Sequence, residues 1–367
     1  MPSILFITDH RLNRSPSQRF RFEQYLSYFE QQGYTWQLSE LISEKDDAVL
    51  YQAGHYFQKA WIMVKSVFIR LKDVQRAKQF DIVFIQREAL LLGSAYFEKQ
   101  FYKQSNVIFD FDDSLWLLDV SNENKKFSFL KNPDKTKIAI ANAHAVIAGN
   151  NYLANFAKPF NNQVVVIPTT VDTHWHKPLS NTTASDSKDG ESSKIVIGWS
   201  GSITTIQHFE LAIPVLKIIQ QKYPQVEIQV IAQVAYTHPE LHIISKCWNA
   251  LTEVEDMNVF DIGLMTIPND EWAKGKCGLK GLTYMACGIA TVMSAVGVNT
   301  EIIQHGVNGF LVTTDAEFES CLSQLIENKA LRIQLGNAGR ETVEKYYSVN
   351  ANKDKYLAVF NQLLQNK

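Results

Sequence analysis

Three stretches of the sequence gather residue types that do chemistry, and each sits beside a short apolar run. The richest is Trp272-Ala-Lys-Gly-Lys-Cys-Gly-Leu-Lys-Gly-Leu-Thr-Tyr-Met-Ala-Cys-Gly288, a glycine-punctuated loop leading into a helical pattern that starts near Cys277 or Gly278. A helix N-terminus offers N–H groups without intrahelical partners and the positive end of its dipole. Lys274, Lys276 and Lys280 add mobile positive charge. Together these features suit a diphosphate cradle; a basic surface loop before an amphipathic helix is the plainer alternative. The second stretch, Phe109-Asp-Phe-Asp-Asp-Ser114, ends an apolar strand with three carboxylates. Carboxylates there are costly unless they are solvated, paired or put to use, and one of them could cap a following helix. The third, Asp9-His-Arg-Leu-Asn-Arg-Ser-Pro-Ser-Gln-Arg-Phe-Arg21, follows the first strand. Its Arg14, Arg19 and Arg21 suit a diphosphate or another anionic group, or simply a solvated helix face. Ser17 is a candidate N-cap.

The elements that must position these residues alternate in a regular way. Strands are expected at Ile4–Ile7, Tyr34–Leu38, Asp81–Gln86, Asn106–Asp110, Ala145–Ala148 and Val164–Ile167, with a helix over Gln18–Gln31. Pro178 to Ser193 is polar, has too few apolar residues to bury a core and reads as a linker or surface loop. The alternation then restarts. Strands are expected at Lys194–Gly198, Val226–Ala232, Asp261–Met265, Thr291–Ser294 and Gly309–Val312. Helices are expected at Gln207–Tyr223, Gly281–Cys287, Glu317–Asn328 and Leu331–Gln365, the last broken near Ser348. Strands alternating with helices imply parallel sheets covered on both faces. The expected organisation is an α/β unit over 1–178, a polar linker over 179–193, a second α/β unit over 194–347 and a closing helix over 348–367 that crosses back to the first. In open α/β sheets ligands bind beyond the carboxyl ends of the strands, so two such sheets facing an interdomain cleft would set the three stretches around it.

Composition narrows the partners. A chain of 367 residues is long enough for two cores, and a net charge of −2 gives no global field for nucleic acid. Cys247, Cys277, Cys287 and Cys321 form no CxxC pair, and the histidines form no spaced ligand set, so neither a zinc site nor a disulfide framework is expected. The opening residues run straight into an apolar strand with no basic leader, and no stretch reaches the roughly 20 apolar residues of a membrane span. A reducing cytoplasm is the expected setting. Residues 56–78 stand apart: Trp61, Ile62, Val64, Phe68 and Leu71 interleave with Lys59, Lys65, Arg70, Lys72, Arg76 and Lys78, with Asp73 the single acid. Such a segment lies on an anionic membrane surface, here the inner face, or packs on the sheet with its lysines in water.

Met285-Ala-Cys-Gly288, Ala290-Thr-Val292, Val296-Gly297, Glu301-Ile-Ile-Gln-His-Gly-Val-Asn-Gly-Phe-Leu311, Leu335-Gly-Asn-Ala-Gly-Arg340 and Tyr346-Tyr-Ser348 resemble the C-terminal signature of retaining family 4 (group 1) glycosyltransferases. Ile167-Pro-Thr-Thr-Val-Asp172 is similar to that family's end of the first domain. The resemblance implies a GT-B fold of two Rossmann-like domains. It implies transfer of a sugar, with retention, from a nucleotide-diphosphate-sugar co-substrate to a glycan or lipid-linked acceptor, with no cofactor and no essential metal. It places backbone N–H groups of Cys277, Gly278 and Leu279 on the donor, Trp248 and Glu255 near base and ribose, and Asp112 or Asp113 nearest the reacting sugar. Trp248 can equally be core.

The sequence also departs from that pattern. The family's two glutamates are matched here by Gly275 and Thr283, and Thr283 can hydrogen-bond a ribose less strongly than a carboxylate. The loop that usually carries Arg and Lys reads Gly198-Trp-Ser-Gly-Ser-Ile-Thr-Thr205. Ser200, Gly201 and Ser202 would supply neutral donors there, and Lys276 and Lys280 the missing charge. The departures keep two alternatives in play: a non-catalytic nucleotide-sugar-binding partner subunit, and a nucleotide-sugar epimerase of the same fold.

Overall fold

The structure, a computed structural model, describes residues 1–52, 54–117, 132–179 and 194–365. The expected linker therefore lies, beyond Leu179, outside the described residues. The chain forms two compact units, one of Met1–Thr169 with Asn352–Lys367, the other of Thr170–Ala351.

The first unit is built on six strands: β1 (Ser3–His10), β2 (Thr35–Ile42), β3 (Ile82–Gln86), β4 (Asn106–Phe111), β5 (Ala145–Ala148) and β6 (Val164–Val166). They pair in parallel in the order β2-β1-β3-β4-β5-β6. Ile4 to Ile7 and Ile82 to Ile85 are completely buried, which is why these strands read as continuous apolar runs rather than alternating ones. β2 lies on one side of β1 and β3 on the other, so the point where the strand order switches falls between β1 and β3, at whose carboxyl ends a ligand crevice opens in such sheets.

The second unit carries β7 (Ile195–Ser200), β8 (Val226–Ala232), β9 (Ile243–Cys247), β10 (Ile262–Met265), β11 (Ala290–Ser294) and β12 (Phe310–Val312). All pair in parallel, in the order β12-β11-β10-β7-β8-β9, and the switch falls between β7 and β10. β9 is absent from the sequence expectation. It is an edge strand paired only with β8, and its half-exposed Ile-Ile-Ser-Lys-Cys gives little apolar signal.

Two expected helices are broken. Gln18–Gln31 resolves into Pro16–Arg19, a tight turn at Glu23–Tyr25 and Leu26–Gln31, because Phe20, Arg21 and Phe22 are all buried. Three consecutive inward side chains do not fit one helix face. Gln207–Tyr223 splits into Ile206–Glu210 and Ile213–Lys222, the second opening on Pro214, which cannot continue a helix from the preceding turn. Near the end, helix Lys329–Thr342 and a wide turn at Val343–Tyr347 lead to extended Ser348, whose hydroxyl accepts from Ala351 N at 3.1 Å and starts helix Val349–Gln365. From Asn352 onward that helix belongs to the first unit. Tyr356 stands 4.7 Å from the Tyr25 ring and Phe360 5.0 Å from Phe29.

Arg21 and Asp110 are both fully buried and face each other, with Nε 3.2 Å from Oδ2 and a second contact from Nη2 to Oδ1. Arg21 Nη1 donates to Ile167 O at 2.5 Å, and its own carbonyl accepts from Tyr356 OH at 2.7 Å. This corrects the reading of Arg21 as a phosphate or acceptor ligand: its charge is consumed inside the unit. Removing one member of a buried pair strands the other, so Arg21→Met should cost about 3–5 kcal/mol. Urea melts of the first unit's transition check this. Arg21→Met/Asp110→Leu should lose clearly less than the two single variants together, and strict additivity would show that the pair is not coupled.

Candidate functional site

At the switch point of the second unit, β7 ends in buried Trp199 and leads into Ser200-Gly201-Ser202 before the turn Ile203–Thr205 and helix Ile206–Glu210. A Cβ on Gly201 would stand 2.3 Å from Trp199 and 2.7 Å from Lys280 Cε, so the lysine crosses directly over this loop. Its ammonium sits 5.4 Å from the Trp199 ring centroid, within cation–π range. Lys280 thus carries a positive charge to a loop that has none of its own. Lys276 lies 4.9 Å over the Trp272 ring instead.

Helix Leu279–Ala286 starts at Gly278, whose φ of +72° is left-handed and whose Cβ would meet Ile302 Cδ1 at 2.3 Å; both facts demand glycine. One turn on, Tyr284 is fully buried and its hydroxyl accepts from Ser200 N at 2.7 Å. Its ring lies against Gly263 of β10, where a Cβ would come within 2.6 Å. Burial holds the phenol well above its ordinary titration range. Tyr284 therefore fastens the helix to the loop after β7. The sequence reading missed it because Tyr-Met-Ala looks like plain helix core; its phenol is the one polar group in that run.

Other expected donor residues sit differently. Thr283 is buried and its hydroxyl donates to Lys280 O at 2.7 Å, so it faces its own helix rather than a ribose. Trp248 packs, half-buried, on the cluster containing Ile231, Phe260 and Tyr284, and its backbone N donates to Ala232 O at 2.7 Å. Glu255 is exposed on helix Glu253–Met257. The Ser202 hydroxyl lies 2.9 Å from that of Thr204, and Cys277 Sγ lies 3.8 Å from Gly275 O.

At the switch point of the first unit, Asp9 and His10 close β1, and Arg87 and Glu88 follow β3. Arg87 holds a left-handed φ of +67°, and its Nη1 donates to Asp113 at 2.9 Å, Asp112 at 3.3 Å and Ser17 Oγ at 3.0 Å. One guanidinium thus grips both candidate carboxylates. Burial pushes the Asp112 carboxyl up, and Arg87 pulls it back. Arg87 was missed, although an arginine directly after an apolar strand is a legible signal. Ser17 is not an N-cap; Ser15 holds that position. Arg14 pairs with Asp47 at 2.6 Å, and Arg19 stands 5.2 Å over the Phe20 ring.

Asp9 is an acid with a raised carboxyl. Its Oδ1 is buried with no hydrogen-bond partner. Burial, then Glu88, pushes its carboxyl up to about 7, against Arg70, Lys135 and Arg87. Burial and Arg14 push His10 down to about 4, so it is neutral at pH 7. A carboxyl titrating near neutrality at a strand end can take or give a proton at working pH. Among the described residues no group of three His, Cys, Asp or Glu is placed to hold a metal ion.

Residues 194–328 match the family model described as Glycosyl transferases group 1. No curated protein sequence matches the chain. Among solved structures, sucrose-phosphate synthase from Thermosynechococcus elongatus superposes with a TM-score of 0.70 at 13% identity, over 100% of both chains. Anabaena HepE in complex with UDP and glucose gives 0.70 at 15% identity, over 99% of this chain and 100% of HepE. A glycosyltransferase from Rickettsia africae gives 0.69 at 15%, over 100% of this chain and 99% of its own. The fold is GT-B, and the resemblance to group 1 glycosyltransferases stands.

A carboxyl raised from about 3.8 to about 7 favours the folded state fully below pH 3.8 and loses that contribution as pH rises through 7. Asp9→Asn should therefore gain melting temperature over the parent as pH goes from 4 to 8. A difference between the two that does not change with pH would show that Asp9 titrates normally.

Proposed function

We propose that the chain transfers a sugar, with retention, from a nucleotide-diphosphate-sugar to a hydroxyl of a glycan or lipid-linked acceptor. The observation that carries this is the meeting, at the β7–β10 switch point, of the glycine loop Ser200-Gly201-Ser202, the N-terminus of helix Leu279–Ala286 and the Lys280 ammonium. Backbone N–H groups at Gly278 and Leu279, with Lys280, oppose the charge that develops on a leaving diphosphate, as pre-aimed donors do in low-dielectric sites. Lys276, over the Trp272 ring, adds a second cation on the same segment. In the first unit, Asp112 and Asp113 would meet the acceptor, with Arg87 fixing their orientation and Asp9 available as a proton acceptor. Retention rests on the family 4 resemblance. HepE was solved with UDP and glucose, which makes a uridine diphosphate donor the first to try.

A second reading, a nucleotide-sugar-binding partner subunit, is favoured by one observation. Gly275 and Thr283 stand where the family carries glutamates, and the Thr283 hydroxyl is turned into its helix.

Thermal unfolding with UDP, GDP, ADP and CMP tests the donor site. A nucleotide at 100 times its Kd should add about 2.7 kcal/mol. The gain should vanish in Lys280→Ala and shrink in Tyr284→Phe, which leaves the Ser200 N–H without its partner. Stabilisation by none of the four would overturn the cradle. Stabilisation without turnover of the corresponding nucleotide-sugar, with or without acceptor, would favour the partner subunit.

A further inference from the structure

Helix Tyr56–Ala77 is turned inside out. Its inward side is Ile62, Ser66, Arg70, Asp73 and Ala77, mostly polar and all buried. Arg70 donates to Thr8 O at 2.6 Å, Ser39 O at 3.1 Å and Ala89 O at 2.5 Å, and pairs with Asp73 at 2.9 Å. Asp73 also accepts from Ser39 Oγ at 2.6 Å and from Arg76 at 3.0 Å. The helix is thus fastened to the unit largely by a buried ionic network, with Ile62 and Ala77 buried beside it and Met63, Val67, Ile69 and Val74 half-buried.

The outward side carries the apolar residues instead. Phe57 is 94% exposed, Trp61 67%, Val64 44%, Phe68 60% and Leu71 39%. Their spacing of four, three, four and three draws one crest along the helix, about 21 Å long at 1.5 Å per residue. Contiguous exposed apolar surface of this kind marks a docking face.

We infer that this helix seats the first unit on an anionic lipid surface, lying in the interface with its crest among the acyl chains. Charge selects this occupant. Lys65, Lys72 and Arg76 lie roughly 60–100° round the helix from the crest. Lys65 also meets Asp46 and Arg76 meets Asp73, so exposed Lys72 is the cation best placed to meet lipid phosphates, and long cationic side chains reach such a level readily. The helix's one acid, Asp73, is buried, so a second copy of the helix would bring no counter-charge to these cations. Asp46, on helix Glu44–Leu50, already pairs with Lys65. Phe and Trp on the apolar face and Lys and Arg beside it are the composition of an interfacial helix. Among the described residues no helix is long and apolar enough to cross a membrane, so this one lies on the surface.

The test is sedimentation of the full chain with phosphatidylcholine vesicles, with and without phosphatidylglycerol. No sugar donor is present, so the outcome is independent of the proposed transfer. The chain should pellet only with the anionic vesicles and be released by salt. Phe57→Ser/Trp61→Ser/Phe68→Ser should abolish pelleting at an unchanged melting temperature, and Lys72→Gln should weaken binding about fivefold. In the unmodified chain, tryptophan emission should shift to the blue on anionic vesicles, and Trp61→Phe should remove the shift. Three results would overturn the inference: no pelleting, equal pelleting on both vesicles, or a dimer in ultracentrifugation that the triple substitution abolishes.

Discussion

A carboxylate buried at the end of an apolar strand needs a cation, and Asp110 at the end of β4 is fully buried. Arg21 meets it with two contacts. In doing so it fixes the path of the chain after β1, because residues 20–22 must all turn inward. It also gathers two groups from distant sequence, the Ile167 carbonyl at the end of β6 and the Tyr356 hydroxyl of the last helix. One ion pair therefore joins the chain after β1, the end of β4, the end of β6 and the returning C-terminus. Such a pair adds little net stability over an apolar equivalent. Its effect is to penalise every arrangement in which the four segments do not meet.

That pair also sorts the three acids of Phe109-Asp-Phe-Asp-Asp. Alternation along the strand sends Asp110 inward to Arg21, while Asp112 and Asp113, just past the strand end, meet Arg87. Arg87 can reach both because its backbone is left-handed at the first residue after β3. Strain of that kind in a non-glycine residue persists only where its surroundings over-determine it. Here the side chain's contacts with two acids and Ser17, and the backbone N–H to Asp110 O at 2.7 Å, supply that determination.

How much of this was legible follows from the physics of each signal. Central parallel strands are buried on both faces, so β3, β5 and β8 read as apolar runs with nearly their true ends. The edge strand β9, half in water, does not. The glycine loop and helix start at Gly278 were legible because a left-handed residue before a helix leaves a glycine in the sequence. Partnerships were not: nothing local says that Arg21 meets Asp110 from 89 residues away, that Arg87 meets Asp112, or that Thr283 faces its own helix. Helix Tyr56–Ala77 shows the limit best. Its composition is amphipathic either way, and only the buried partners of Arg70 tell which face is inside.

The two sheets differ in strand order, yet in each the candidate site groups lie where that order switches, β1 with β3 in one and β7 with β10 in the other. At a switch point neighbouring connections leave in opposite directions, which opens space at the strand ends without any side chain having to make it. What fills the space then depends on charge brought from elsewhere. In the second unit the loop after β7 is neutral, and its cation arrives on the helix after β10, held near by the Trp199 ring and by Tyr284 anchoring that helix to Ser200. A lysine on an aromatic face keeps its charge while shedding part of its water. A cation carried on the helix rather than on the loop depends on the helix's position, and that position is set by a buried phenol and two glycines, Gly263 and Gly278, that no larger residue could replace without displacing it.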